Sequence, residues 1–361
     1  MRIGVTHGSV ARMWAAAVAL LSCSLAWGDP VPEPAPVQTL RIVGGLMAIN
    51  QFTQKEEPFW RKELLQLSAG KYSAEIVPFD RAGVPGPEML RLMQYGVVPF
   101  GTALISNISG QDPEFAAPDL AGLNPTMDSL RKNLAAFRPY MEKTLRERHG
   151  VELLAVYTYP AQVIFCKKPI KSLVALAGQK IRVSSATQSD FVSGLGATPV
   201  LMALSQVAGS LKRGDTDCAI TGTMTGNTLG LYEQTSYIYK MPISWGLAIF
   251  GANSSAWQAL PSDLRALLSR ELPKLEAAIW AESERETADG FICNRGDPEC
   301  KGGRRGAMTE IAISPDDEAH RKALFAATVL PRWLHRCNGR CAEVWNQTIG
   351  LSSGIAASTG P

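Results

Sequence analysis

The stretch from Ala175 to Thr221, ALAGQKIRVSSATQSDFVSGLGATPVLMALSQVAGSLKRGDTDCAIT, constrains the fold more than any other, because it reads as two successive strand, helix, strand steps. Lys180 to Val183 alternates polar and apolar residues as a short strand does, with Ile181 and Val183 on the face opposite Arg182. A helix is expected from about Thr187 until Gly194 and Gly196 stop it, and Thr198 to Met202 is a second extended piece. Ser205 is placed to cap a helix that ends at Gly214, and Cys218 to Thr221 is the third strand. Parallel strands joined by helices bind ligands beyond their carboxyl ends. Arg182 falls at such an end, where a fixed cation meets a small anion. The competing reading is a surface arginine paired with Asp190 or Asp215.

The chain of 361 residues is long enough for two lobes of this α/β kind. Hydrophobic content of 46% with 19% charged residues excludes a disordered chain and a multispan membrane protein. A net charge of +3 gives no case for nucleic acid, and the longest basic run, Lys301 to Arg305, reads as a solvated loop.

The first 28 residues read as a signal peptide. Arg2 and Arg12 flank a weakly apolar start, the run Trp14 to Leu21 is too short for a stable anchor, and Ala26 and Gly28 place the cleavage before Asp29. A lipid anchor at Cys23 is the alternative, with Leu21 imperfect for it. Residues 29–36 form a Pro-rich leader. Of seven cysteines, loss of Cys23 leaves six, an even number that suggests disulfides in an exported protein. Cys293 with Cys300 and Cys337 with Cys341 close two short loops; zinc held by these four and His335 is the rival, with spacing unlike known zinc motifs. Cys166 and Cys218 lie in apolar runs and read as small buried hydrophobes, with a bridge between them the less favoured alternative.

An earlier lobe repeats the architecture: a strand from Thr39 to Gly44, a loop lasting to about Glu57, a helix from Pro58 to Ala69, a strand from Tyr72 to Phe79, a helix from Pro85 to Gly96, and a strand from Val97 to Leu104 turning at Gly101 and Thr102. Met127 to Gly150 is helical, Glu152 to Tyr159 and Gln162 to Lys167 are strands, Gly222 to Gly226 is a small-residue loop, and Trp245 to Gly251 returns toward the first lobe. The stripe Leu264, Leu267, Leu268, Leu272, Leu275 and Ile279 marks a long helix from Ser262, kinked at Pro273 and ended by Gly290. A strand near Met308 to Ile313 and a helix from Pro315 to about Cys337, breakable at Pro331, follow in the tail. There is no GxSxG elbow, HExxH, Walker loop or GxGxxG, and His149, His320 and His335 sit in charged or helical contexts.

KKPIKSLVAL from Lys167, the KIRV strand, the LGATPV turn and the helix ending RGDTDCA together resemble the solute-binding proteins of tripartite ATP-independent periplasmic (TRAP) transporters. That resemblance implies a two-lobed periplasmic-binding-protein-like fold with hinge strands and a long helix spanning both lobes. The lobes would be residues 37–158 plus about 246–285, and 159–245 plus about 286–361. It implies that Arg182 holds the carboxylate of an organic acid, which a planar guanidinium does with two parallel hydrogen bonds. Relatives often carry a further arginine where this chain has Ala161 and Gln162, so a monocarboxylate with hydroxyl or apolar groups fits better than a dicarboxylate. Candidate neighbours are Gln162, Thr223, Asn227 and Trp245 in the second lobe and Asn50, Gln51 and Thr102 in the first. The implied protein is a periplasmic receptor that needs no cofactor or catalysis, binds no nucleic acid, and hands its ligand to the membrane subunits of the transporter. A secreted enzyme on small carboxylates and a ligand-sensing subunit of a signalling system are the alternatives.

Overall fold

The computed structural model describes residues 37–358; the signal, the leader and Cys23 lie outside the described residues. Among the described residues eleven strands follow in chain order: β1 Gln38–Gly44, β2 Tyr72–Pro78, β3 Phe100–Leu104, β4 Val151–Thr158, β5 Gln162–Cys166, β6 Lys180–Val183, β7 Thr198–Leu201, β8 Cys218–Gly222, β9 Tyr237–Ser244, β10 Leu247–Asn253 and β11 Thr309–Ile311. They form two mixed sheets, ordered β2-β1-β3-β10-β4 and β11-β9-β5-β8-β6-β7. In the first, β1 is parallel to β2 and β3. In the second, β6 is parallel to β7 and β8. Each of these parallel pairs is joined through helices, as parallel pairing requires.

The chain passes between the sheets three times, and two passages run side by side. β4 leads through residues 159–161 into β5, and β9 leads through 245–246 into β10. Leu247 faces Thr158 in the first sheet and Gln162 faces Ser244 in the second, so both crossings are continuations of antiparallel ladders. The third link is the helix Ser262–Arg295. Its leucines pack with Ile42, Trp60 and Phe250 against the first sheet, each such burial contributing about 1.5–3 kcal/mol. Trp280 and Ser283 then hydrogen-bond the carbonyls of Val156 and Thr158 at 2.8 and 2.7 Å, fastening the helix along β4.

Several local expectations are corrected. The loop expected before Glu57 is helical: residues 50–67 form one continuous helix that contains wide turns. Its apolar stripe of Ile49, Phe52, Phe59, Trp60 and Leu64 is interrupted by buried Glu56, and that charge hid the period. Gly101 and Thr102 lie inside β3 rather than at a turn. GTMTG is the first part of the helix Thr223–Thr228, preceded by Gly222. Ser205 makes no capping hydrogen bond; it lies in a tight turn ahead of the helix Val207–Arg213.

The long helix continues through Gly290 to a left-handed Gly296 at φ 83°. Gly290 instead lets that helix meet the next one, since a Cβ there would stand 2.5 Å from the Thr223 and Met224 backbone. The last long helix passes Pro331 behind a wide turn at Phe325–Val329, which accommodates the missing N–H.

Disulfides join Cys293 to Cys300 and Cys337 to Cys341, as expected. Cys166 and Cys218 also form one, the bridge that the sequence allows as the less favoured reading beside two buried thiols. They are register partners on antiparallel β5 and β8, a proximity created by strand pairing that spacing alone does not fix at a separation of 52 residues.

Candidate functional site

Arg182 sits where β6 ends and is 3% exposed. Its guanidinium reaches across both neighbouring strands: Nη1 donates to the Ile220 carbonyl at 2.8 Å, while Nε and Nη2 donate to the Met202 carbonyl at 3.2 and 2.9 Å. Neither suspected surface partner holds it, because Asp190 pairs with Arg332 and Arg336, and Asp215 with Arg213. Burial lowers its pKa to about 10, which still leaves it charged at neutral pH. Among the described residues it has no carboxylate within ion-pair distance. A buried cation compensated only by carbonyl dipoles favours an anion beside it.

Beside this strand end lies a polar cluster. Gln162, at the start of β5, accepts at Oε1 from Gln188 Nε2 at 2.7 Å and from Ser184 Oγ at 3.4 Å, and donates to the Trp245 carbonyl at 3.1 Å. Gln188 also donates to Ser244 at 2.8 Å. Ser184 follows Arg182 by two residues, and Gln188 lies in the capped first turn of the helix Ala186–Gly194. The Trp245 indole is turned away into the interior, donating to the Asn124 carbonyl at 3.1 Å.

The carboxyl ends of β1 and β3 carry a second polar cluster. Fully buried Glu56 accepts from Gln51 Nε2 at 2.9 Å, the Gly45 amide at 3.0 Å and Thr102 Oγ1 at 3.1 Å. Burial pushes its pKa up to about 7 against the pull of those three donors. Tyr157 and Tyr159, alternate residues at the end of β4, are raised by burial and by the nearby Glu56 charge. Asn50 donates to Glu286 on the long helix, and Lys55 pairs with Glu282 one turn earlier at 3.0 Å.

The two clusters meet at the crossing strands. Gly246, with φ of 84°, has the Gln162 amide on one side and the Tyr159 ring on the other; a Cβ there would lie 2.4 and 3.2 Å from them. Asp119 accepts from the Trp245 amide at 3.0 Å and from the Gly246 amide at 2.6 Å, bracing this crossing, and burial raises its pKa to about 7.

Arg182 and Gln162 thus lie in one neighbourhood, and Gln51 and Thr102 in the adjoining one. Thr223 and Asn227 are turned elsewhere: Thr223 donates to Glu286 and Thr287 carbonyls at 3.0 and 3.1 Å, and Asn227 spends its amide on Asn294 and the Arg304 backbone. Glu56, Tyr157, Tyr159, Gln188 and Asp119 were absent from the sequence reading. Only the Tyr157 and Tyr159 alternation was legible as a shared strand face. Among the described residues no group of three His, Cys, Asp or Glu side chains is arranged to hold a metal ion, and no helix is long and apolar enough to cross a membrane.

Residues 47–291 match the bacterial extracellular solute-binding protein family 7. An extracytoplasmic solute receptor of Bordetella pertussis that binds pyroglutamic acid superposes with a TM-score of 0.76 at 22% identity, covering 86% of this chain and 99% of that one. A TRAP periplasmic solute-binding protein of Desulfovibrio salexigens with bound orotic acid gives 0.74 at 17%, covering 88% and 97%. One from a Sulfitobacter species with bound β-D-galacturonate gives 0.70 at 15%, covering 86% and 99%.

Proposed function

The chain belongs to the bacterial extracellular solute-binding protein family 7, and from that premise we propose that it captures a small organic acid in the periplasm and delivers it to a TRAP-type membrane transporter. The observation that carries this reading is Arg182, a buried guanidinium at a strand carboxyl end with carbonyls as its protein partners. Similar folds with bound pyroglutamate, orotate and galacturonate, all carboxylates, support the ligand class.

The two lobes divide at the crossings, as residues 37–158 plus about 246–285 and 159–245 plus about 286–361. A ligand held by both lobes binds the closed arrangement better and shifts the population toward it, and the membrane subunits recognise that form. The protein is a receptor rather than an enzyme. Its first 28 residues direct export and are removed, which places the mature chain in the periplasm.

A thermal-shift screen of the mature protein against monocarboxylic and dicarboxylic acids tests the reading. A true ligand at a thousandfold excess over its Kd stabilises by about 4 kcal/mol. Calorimetric titration with that ligand should lose about 100-fold or more in affinity in Arg182→Ala, the expected effect of removing one partner of a buried charge pair. Unchanged affinity in a folded variant removes Arg182 from the site, and turnover of the acid in place of tight binding favours the enzyme alternative.

A further inference from the structure

The first-sheet cluster contains polar atoms that its own protein surroundings do not satisfy. Gln51 is 3% exposed and Tyr159 7% exposed, yet Gln51 Oε1 and Tyr159 Oη make no hydrogen bond within the described protein. Gln51 lies beside the Tyr159 hydroxyl, close enough to oppose the rise in its pKa, without reaching hydrogen-bond geometry. The Tyr157 hydroxyl on the same strand face is likewise buried and unpartnered. Buried polar atoms are almost always paired, because leaving one unmade costs about 1–3 kcal/mol. Several together, next to a crossing between sheets, are poor stability design but good recognition design.

The chemistry of the cluster fixes what it can recognise. Three groups donate to Glu56, and one of them is Gln51 through its Nε2, which leaves the Gln51 Oε1 buried and free as an acceptor. A group opposite Gln51 must therefore donate. The Tyr159 hydroxyl both donates and accepts, so it complements a carbonyl or a hydroxyl. Through Gly246, Tyr159 adjoins Gln162 and hence the end of the site that contains Arg182.

We propose that Gln51 and Tyr159 form the second pole of the binding site, and that the ligand is a small monocarboxylate bearing a hydrogen-bond donor and an acceptor at the end remote from its carboxylate, of the hydroxy-acid or lactam-acid class. This inference rests on the carboxylate-receptor reading above and adds the other end of the molecule. Glu56 acts as a positioning residue that orients the Gln51 amide.

The test uses matched pairs of acids that keep the carboxylate and remove the remote polar groups: pyroglutamate against cyclopentanecarboxylate, and 4-hydroxybutyrate against butyrate, titrated calorimetrically into the mature protein and into Tyr159→Phe. The polar member of at least one pair should bind wild type about tenfold tighter or more than its apolar partner. Tyr159→Phe should erase most of that difference while changing the affinity for the apolar acid little. The ligand-free variant should melt no lower than wild type, because the hydroxyl removed has no partner in the protein. Equal affinities within each pair, equal losses for both members, or a lowered melting temperature overturn the second pole and leave the carboxylate reading standing. Binding of no acid in either pair overturns both.

Discussion

Glu56 occupies a core position on the apolar stripe of the helix at residues 50–67, between Phe52 and Phe59. A carboxyl there is costly, and its folded-state pKa of about 7 against an ordinary 4.5 measures that cost. The folded protein holds the Glu56 proton more tightly than the unfolded chain does. The stabilising contribution is therefore fully present below about pH 4.5 and is lost as pH rises through about 7, an effect on the order of 3 kcal/mol at 1.36 kcal/mol per pKa unit. Denaturant midpoints should fall between pH 5 and 8 in wild type, and Glu56→Gln should flatten that fall; an equal slope in the variant would assign the dependence to Asp119 or Glu286, whose pKa values are raised in the same direction. Arg182 was legible from the sequence because strand periodicity places it. Glu56 was not, because a charge on an apolar stripe makes a helix look like a loop.

At the level of elements, Gly290 shows how one residue type carries two meanings. Read locally, a glycine after a long periodic run ends a helix; here the run continues to Gly296, and Gly290 is the point of closest approach to the helix Thr223–Thr228. Gly290→Ala gains about 1 kcal/mol of helix propensity. It also drives a methyl group into backbone atoms at 2.5 Å, which cannot swing aside as a side chain does. The clash wins, and urea denaturation should show a net loss of roughly 1–3 kcal/mol; a stabilised variant would show that the two helices separate easily. The same distinction separates the two short disulfides, which sequence spacing announces, from Cys166–Cys218, which exists because β5 and β8 pair in one register.

For the molecule as a whole, the decisive features are the paired crossings at 159–161 and 245–246. The Tyr159 amide donates to the Gly246 carbonyl at 3.2 Å, and the Gly246 amide donates to Asp119. A ligand that bridges the lobes should slow hydrogen exchange at both amides when it is saturating, whereas a ligand held by one lobe alone would leave them unchanged. The sequence by itself determined the α/β alternation, the strand end bearing Arg182, the long helix and two of the disulfides, because each is set by spacing along a few dozen residues. It also sufficed to name the family, through the run from Lys167 to Thr221. Only the tertiary structure decided that Glu56 is buried, that Thr223 and Asn227 brace the long helix and the 303–304 loop, and that Tyr159, with Gln51 beside its hydroxyl, adjoins Gln162 at Gly246. Those facts depend largely on contacts between residues far apart in the chain, 46 positions for Glu56 and Thr102, 63 for Thr223 and Glu286, and 77 for Asn227 and Arg304, which no local periodicity encodes.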